Sequence, residues 1–247
     1  SDPWHDEVGH GSMVAGIAAA GAPEAMIYPV KVSPADAITS TAILAALDHL
    51  AGLALDLRQP VVANLSWGVE GRENLVLPCS ALVAQTIEML DREQLVLTCW
   101  AAGNNGGLPQ PDELAGYCCT NAHRSSVSCG ALTRNLAPQA YSSSLGFCSP
   151  IHPTVMAPTY GVLPYGGGYA DLGEVGGGTS ACAPLVAATL ALMLSQWAGR
   201  PFRDYRAALR ATAGRHHLLQ AMAAIQAVPQ ASRHNSWALE PLLPSGI

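Results

Sequence analysis

Short apolar segments alternate with longer helical segments along most of this 247-residue chain. Apolar runs typical of buried strands cover residues 25–32, 60–67, 94–102, 126–132 and 154–158. Helical patterns cover residues 10–20, 41–57, 79–91, 202–213 and 218–227, and a further helix is expected after residue 178. Strands and helices that alternate in this way form a mostly parallel sheet covered by helices on both faces. We therefore expect one large α/β domain of three layers.

The composition suits a domain with a large core and narrows the range of partners. Hydrophobic residues make up 49% of the chain, charged residues 12%, and the formal net charge is -6. Because Lys31 is the single lysine and no basic run occurs, we do not expect the chain to bind nucleic acid. The most apolar segment, after Ser180, runs for about 14 residues and is shorter than a membrane span, so no membrane partner is expected.

The seven cysteines are odd in number and contain no CxxC pair, so neither a zinc site nor a complete disulfide framework is expected. Several lie in strand-like apolar runs, where cysteine behaves as a small hydrophobic residue. This usage favours a reducing compartment such as the cytoplasm. No carboxylate-rich loop suited to calcium is present, and we expect neither a metal nor a cofactor.

A glycine run ends in the pair Thr179-Ser180, directly before the most apolar segment of the chain. Ser180 is therefore expected in the first turn of a helix, where free backbone N–H groups point outward and negative charge is favoured. A serine in this place can be a helix cap. It can also be a nucleophile presented at the start of a buried helix, and this stretch alone leaves both open.

Two other polar residues stand at the ends of predicted elements. His10 begins the small-residue helix, where the helix dipole disfavours a positive charge; a neutral imidazole suits a general base, and a polar cap is the alternative. Asn104 follows a buried strand, at the edge where parallel sheets bind ligands. Its amide can donate to an oxyanion, and an ordinary turn residue is the alternative.

Four segments, taken together and in this order, resemble the motifs of the subtilisin-like serine proteases, or subtilases. They read His-Gly-Ser-Met-Val-Ala-Gly at 10–16, Asn-Leu-Ser-Trp-Gly at 64–68, Ala-Ala-Gly-Asn at 101–104 and Gly-Thr-Ser-Ala-Cys-Ala-Pro at 178–184. The resemblance extends from about His10 to Val228. It implies a subtilisin-like peptidase domain over residues 1–228, with residues 229–247 as a C-terminal extension.

The resemblance implies a role for each motif. Ser180 is the nucleophile, and His10 takes its proton and later returns it to the leaving amine. Asn104 and the backbone N–H of Ser180 form the oxyanion hole. The function implied is that of a serine endopeptidase with a Ser-His-Asp triad.

The same resemblance implies two walls of a pocket for the residue before the cut. One wall is Ser66, Trp67 and Gly68, and the other is Ala101, Ala102 and Gly103. The 66–68 edge would also pair with an extended substrate by strand addition. Trp67 in a wall suggests a restricted site, and hence a selective processing protease.

The chain departs from the family pattern in three places. The usual His-Gly-Thr-His is His-Gly-Ser-Met at residues 10–13, and Ala-Cys-Ala stands at residues 181–183 where Met-Ala usually occurs. The triad Asp is missing, because Asp2 and Asp6 alone precede His10 and neither follows an apolar strand. We therefore expect Ser1 to be a new N-terminus, with autoprocessing as one origin. An upstream fragment or second chain would supply the central strand and the triad Asp.

Three alternatives remain beside the active protease. A subtilase-fold pseudoprotease would keep the fold for binding, although it would not need His10, Asn104 and Ser180 together. A hydrolase of another class, such as an esterase, lacks support because no Gly-x-Ser-x-Gly elbow surrounds Ser180. A nucleotide-binding domain lacks support because neither GxxxxGK[ST] nor a GxGxxG after a strand is present.

Overall fold

The computed structural model describes residues 6, 8–32, 38–67, 77–104, 126–133, 135–142, 155–158, 178–213 and 218–231. Its sheet contains four strands, β1 (Val61–Leu65), β2 (Val96–Ala101), β3 (Ser126–Leu132) and β4 (Val155–Pro158). The strands lie in the order β1-β2-β3-β4, and every neighbouring pair is parallel. The predicted parallel sheet is thus confirmed.

The helices of the described residues are α1 (His10–Gly21), α2 (Ser40–Leu57), α3 (Leu77–Arg92), α4 (Gly178–Gln196), α5 (Phe202–Thr212) and α6 (Ala221–Ala231). Each predicted helix is present. The last one begins later than predicted, at Ala221, and continues past Pro229. Residues 232–247 lie outside the described part, so the proposed boundary of a C-terminal extension stays a prediction.

The two faces of the sheet are covered by different helices. Along β2, Leu97, Cys99 and Ala101 join the core formed with α4, α5 and α6. Val96 and Trp100 alternate with them and join the core formed with α2 and α3. Because successive strand residues point to opposite faces, this division confirms the three-layer α/β architecture.

Helix α4 is the central helix of the domain. It has the length and hydropathy of a membrane span, but 72% of its most apolar 18-residue window is buried inside the protein. Helix α2 meets the same criterion with 17% of its window buried, and its Ile43 and Leu47 pack into the core shared with α3. A mostly buried apolar helix needs no extensive polar face, which explains why α4 shows little amphipathicity.

The strand predicted for residues 25–32 is wrong. Residues 26–32 have no strand partner among the described residues. Met26 is 87% exposed, and the side chains of Ile27 and Tyr28 are also exposed. An apolar run becomes a strand when another strand pairs with its backbone, and no described strand pairs with this segment.

Helix α1 packs against α4, and the two helices run in the same direction. Met13 and Ile17 form a buried cluster with Ala181, near the start of α4. At the other end of α1, a Cβ added to Gly21 would lie 2.7 Å from the Cβ of Ala188. Glycine therefore allows the close approach of the two helices. This packing brings the first turns of α1 and α4, with His10 and Ser180, to the same end of the domain.

Candidate active site

The start of α4 contacts the residues that follow β1 and β2. Ser66, directly after β1, is hydrogen-bonded to Ser180. Gly103, after β2, donates its N–H to Oγ1 of Thr179 at 3.1 Å. The carboxyl ends of neighbouring parallel strands and the first turn of the central helix thus meet at one place. This is the edge of the sheet at which the sequence predicts the ligand site.

Ser66 and Ser180 are joined by two reciprocal hydrogen bonds. Oγ of Ser180 donates to the carbonyl oxygen of Ser66 at 3.0 Å. Oγ of Ser66 donates to the carbonyl oxygen of Ser180 at 2.9 Å. Both residues are buried, and α4 begins two residues before Ser180, at Gly178. The Ser180 hydroxyl therefore does not cap its own helix, which removes the simplest structural explanation for this serine.

Asn104 is held by the residue that precedes Ser180. Its Oδ1 accepts hydrogen bonds from the backbone N–H of Thr179 at 2.9 Å and from Oγ1 of Thr179 at 3.1 Å. The residue is exposed, and its Nδ2 has no hydrogen-bond partner among the described residues. Asn104 is thus bound to α4 through its side-chain oxygen, and no described residue occupies its amide nitrogen.

Gly178 gives Asn104 the space that it occupies. The backbone of Gly178 has φ +58°, and a Cβ at this position would lie 2.7 Å from both Nδ2 and Oδ1 of Asn104. Both the left-handed backbone and the close contact exclude a side chain here. The glycine before the Thr-Ser pair is therefore required by the position of the Asn104 amide.

His10 is the first residue of α1 and follows Gly9, whose φ is 77°. Its side chain is half-buried, and this burial lowers the pKa of His10 below its usual value of 6.5, although the carboxylate of Asp6 acts in the opposite direction. The imidazole is therefore neutral at pH 7. Within the described part of the chain, no hydrogen bond joins the His10 ring to Ser180 or to an acidic side chain.

The carboxylate of Asp6 caps α1. It accepts hydrogen bonds from the backbone N–H of Gly9 at 2.8 Å, and from the backbone N–H and Oγ of Ser12, both at 2.7 Å. Burial raises the pKa of Asp6, but these hydrogen bonds outweigh it and leave the pKa below its usual value. Asp6 is engaged at the helix start, and the acid that would pair with His10 is not found among the described residues.

The predicted pocket walls are described in part. Ser66, Ala101, Ala102 and Gly103 are buried, whereas Gly68 lies outside the described residues. The ring of Trp67 is half-buried and packs edge-on against Trp100, with 5.1 Å between ring centroids and 71° between planes. The assignment of these residues to a substrate pocket stays a prediction.

Two residues of the four motifs also join the site, although the sequence alone indicated no role for either. Thr179 holds Asn104, and Asn64 donates from Nδ2 to Oγ of Ser66 at 2.8 Å. Asn64 stands two residues before Ser66 in the same motif, and period-two alternation places both on one face of the strand. This alternation could have indicated from the sequence that Asn64 lies beside Ser66. For Thr179, the sequence offered only its position directly before Ser180.

The model of the subtilase family matches residues 1–232 of this chain. A comparison with curated protein sequences finds no match.

Several solved structures share the fold. A lanthipeptide protease is 20% identical, with a TM-score of 0.65 over 90% of this chain and 76% of that protein. A psychrophilic protease is 22% identical, with a TM-score of 0.62 over 84% of this chain and 70% of that protein. A mutant of the protease domain of PatA is 20% identical, with a TM-score of 0.60 over 93% of this chain and 82% of that protein. Since the family match spans nearly the whole chain and the fold agrees, the chain belongs to the subtilase family of serine proteases.

Proposed function

We propose that this protein is a serine endopeptidase in which Ser180 is the nucleophile and His10 its general base. Asn104 and the backbone N–H of Ser180 would form the oxyanion hole. The observation that carries the proposal is the contact between Asn104 and the first turn of α4. It ties the Asn104 side chain to the residue directly before Ser180, where its amide nitrogen would serve as the donor.

The reaction would begin when the Ser180 hydroxyl turns from the Ser66 carbonyl toward His10. The oxygen attacks the scissile carbonyl carbon, and His10, neutral at pH 7, accepts the hydroxyl proton. Negative charge then develops on the substrate oxygen, where Asn104 Nδ2 and the Ser180 N–H would donate. One such donor contributes roughly 3 kcal/mol to the transition state, a value measured in subtilisin, a member of this family.

Collapse of the tetrahedral intermediate breaks the peptide bond. His10 returns the proton to the leaving amine, and the acyl group stays on Ser180. Water then attacks the acyl-enzyme with His10 again as the base, which releases the carboxylic acid and regenerates the hydroxyl. Acylation of Ser180 and hydrolysis of the acyl-enzyme, each with a lower barrier, thus replace the direct hydrolysis of the peptide bond.

The acid that completes the triad is expected on an upstream fragment or a second chain. Two observations support this part of the proposal. No described strand pairs with the outer edge of β1, and residues 26–32 form no strand with any described segment. A strand that pairs with these segments would satisfy exposed backbone groups and could present an Asp to His10.

Mass spectrometry of the native, undenatured particle tests this supply of the acid. An additional polypeptide bound to the 25.6 kDa chain is the expected result. A folded and active species of 25.6 kDa alone would overturn it.

The substrate is proposed to be a peptide precursor that the enzyme processes selectively. A protease named for lanthipeptides and the protease domain of PatA share this fold. Selectivity is proposed because Trp67 directly follows Ser66 in the predicted wall of the pocket, where a large side chain would restrict what the pocket accepts. Cleavage of a peptide library should therefore show a strong preference at one or two positions, and uniform cleavage would exclude selectivity.

A catalytically inactive subtilase fold is the second candidate. It is favoured by the absence, within the described residues, of a hydrogen bond from His10 to Ser180. Reaction of the intact protein with a fluorophosphonate probe separates the two. The active protease should be labelled at Ser180, and Ser180→Ala should abolish labelling. A wild-type protein that stays unlabelled, even with the upstream segment supplied, would favour the inactive fold.

A further inference from the structure

The carbonyl oxygen of Ser180 cannot make the hydrogen bond that its helix would normally provide. In an α-helix this oxygen accepts the N–H of the residue four positions later. That residue is Pro184, inside α4, and proline has no N–H. Since Ser180 is only 9% exposed, water is largely excluded and another donor is needed.

Ser66 supplies that donor from the end of β1. Its Oγ donates to the Ser180 carbonyl oxygen at 2.9 Å, and the residue is 4% exposed. The bond ties the first turn of α4 to the sheet at the residue that would carry out the attack. A hydroxyl has one proton, however, and it can rotate to donate elsewhere. Something must therefore direct it toward Ser180.

Asn64 directs this proton. Its Nδ2 donates to Oγ of Ser66 at 2.8 Å, which occupies the acceptor side of the hydroxyl and leaves its proton for the Ser180 carbonyl. The neighbours Ala63 and Leu65 belong to the core on the α2 and α3 side, so the Asn64 side chain lies on the α4 side.

The orientation of the Asn64 amide follows from the same bonds. If its oxygen faced Ser66 instead, it would accept the hydroxyl proton, and the Ser180 carbonyl would lose its donor. In the structure Oδ1 is buried and has no hydrogen-bond partner among the described residues. A buried acceptor without a hydrogen-bond partner lowers the stability of the fold. That Asn64 is nevertheless oriented in this way points to a role for its amide nitrogen.

We infer that Asn64 is a positioning residue for Ser180, which acts through the Ser66 hydroxyl on the carbonyl that Pro184 leaves without a helical donor. The inference rests on the proposed function, because it takes Ser180 as the nucleophile. Both the attacking oxygen and one oxyanion donor belong to Ser180. A small displacement of this residue therefore lowers the rate without changing the groups that perform the chemistry.

Pro184→Ala provides a specific test, because it restores an N–H that can reach the Ser180 carbonyl. In the intact protein, Asn64→Leu and Ser66→Ala should each slow the maximal rate of fluorophosphonate labelling about five- to tenfold, the equivalent of one lost hydrogen bond. Ser66→Thr keeps the hydroxyl and should retain most of the rate. In the Pro184→Ala background, Asn64→Leu should cost less than about twofold, because the helix then supplies the donor.

Thr98→Val is the matched control. Oγ1 of Thr98 is also buried and lies 2.7 Å from Oγ of Ser126, but its strand neighbours Val96 and Trp100 place it on the opposite face of the sheet. It should lower stability and leave the labelling rate unchanged. If Asn64→Leu slows labelling equally with and without Pro184→Ala, the inference is overturned, because its effect does not pass through the Ser180 carbonyl.

Hydrogen exchange separates this inference from the proposed function. If the wild-type protein does not react with the probe, the proposed function fails, but exchange at the amides of residues 181–183 still reports the first turn of α4. Asn64→Leu should speed their exchange, and Pro184→Ala should reverse the change. Equal exchange in wild type and Asn64→Leu would overturn the inference whether or not the protein is an enzyme.

Discussion

Thr179 binds the side-chain oxygen of Asn104 twice, through its backbone N–H at 2.9 Å and through its hydroxyl at 3.1 Å. The same hydroxyl accepts the N–H of Gly103 at 3.1 Å. The hydroxyl oxygen of Thr179 therefore links Gly103 and Asn104, which follow β2, to the start of α4. This arrangement fixes which end of the Asn104 amide faces α4, and the amide nitrogen at the other end is the donor in the proposed oxyanion hole.

Substitutions at Thr179 should distinguish the effect of its hydroxyl on Asn104 from the effect of its backbone N–H. Thr179→Val removes the hydroxyl bond to Asn104 and the acceptor for Gly103, so labelling of Ser180 by a fluorophosphonate should slow about tenfold. Thr179→Ser keeps both bonds and should remain within about twofold of wild type. The measurement is the second-order rate constant of labelling. Equal rates for the valine and serine variants would show that the hydroxyl does not orient Asn104.

Gly178→Ala should displace Asn104 from the site. The new Cβ would lie 2.7 Å from Nδ2, and the φ of +58° disfavours any side chain. If Asn104 donates to the oxyanion, turnover of a peptide substrate should fall on the order of a hundredfold, as for loss of one such donor.

Gly199→Ala is the control for the backbone strain in that experiment. Gly199 has φ +79°, and a Cβ there would meet no atom within 4 Å. This variant should lose about 1 kcal/mol of stability from strain and keep full turnover. A similar loss of turnover in both variants would mean that Gly178 acts through general destabilisation.

The pH dependence of labelling should reflect the neutral form of His10. Burial lowers the pKa of His10 below 6.5, and the Asp6 carboxylate only partly offsets this effect. A lowered pKa keeps the imidazole neutral to more acidic pH. In the chain without the proposed triad acid, the rate should be constant near pH 7 and should fall toward acidic pH with an apparent pKa below 6.5. The triad acid, once bound, would raise the pKa of His10.

Asp6→Asn provides the control for that profile. It removes the charge that raises the pKa of His10, yet it keeps an oxygen that can cap α1. The acid limb should move further toward low pH. In the 25.6 kDa chain without the proposed triad acid, an apparent pKa above 6.5 would contradict the assignment of His10 as a buried, neutral base.

The contact between α1 and α4 should be sensitive to one added methyl group. Gly21→Ala would place its Cβ 2.7 Å from the Cβ of Ala188, and relief of this overlap should cost about 1–3 kcal/mol of unfolding free energy. Gly52→Ala, in α2, meets no atom within 4 Å and should instead stabilise by about 0.5–1 kcal/mol. Urea unfolding measures both. A Gly21→Ala variant as stable as wild type would show that the two helices can separate freely.

Local pattern was sufficient for most of the secondary structure. The apolar run at residues 126–132 became β3 (Ser126–Leu132), and the helical pattern at residues 41–57 became α2 (Ser40–Leu57). These elements are specified by the spacing of their own side chains. The alternation of strands and helices also predicted the parallel sheet, because parallel neighbours require long crossover connections.

Residues 26–32 mark the limit of this approach. Their composition predicts a strand, but a strand exists only when another segment pairs with its backbone, and none of the described residues does. The apolar pattern indicates that the segment is able to form a strand. Whether a partner strand lies beside it depends on the whole folded assembly.

The sequence by itself determined the candidate residues of the site, since His10, Asn104 and Ser180 each stand at the end or start of a predictable element. Only the tertiary structure decided how they are held. The bonds between Ser66 and Ser180 join residues 114 positions apart, and those between Asn104 and Thr179 join residues 75 positions apart. Hydrogen bonds over such separations depend on where the packed helices and sheet place each backbone, and that placement cannot be obtained from the spacing of residues within any one segment.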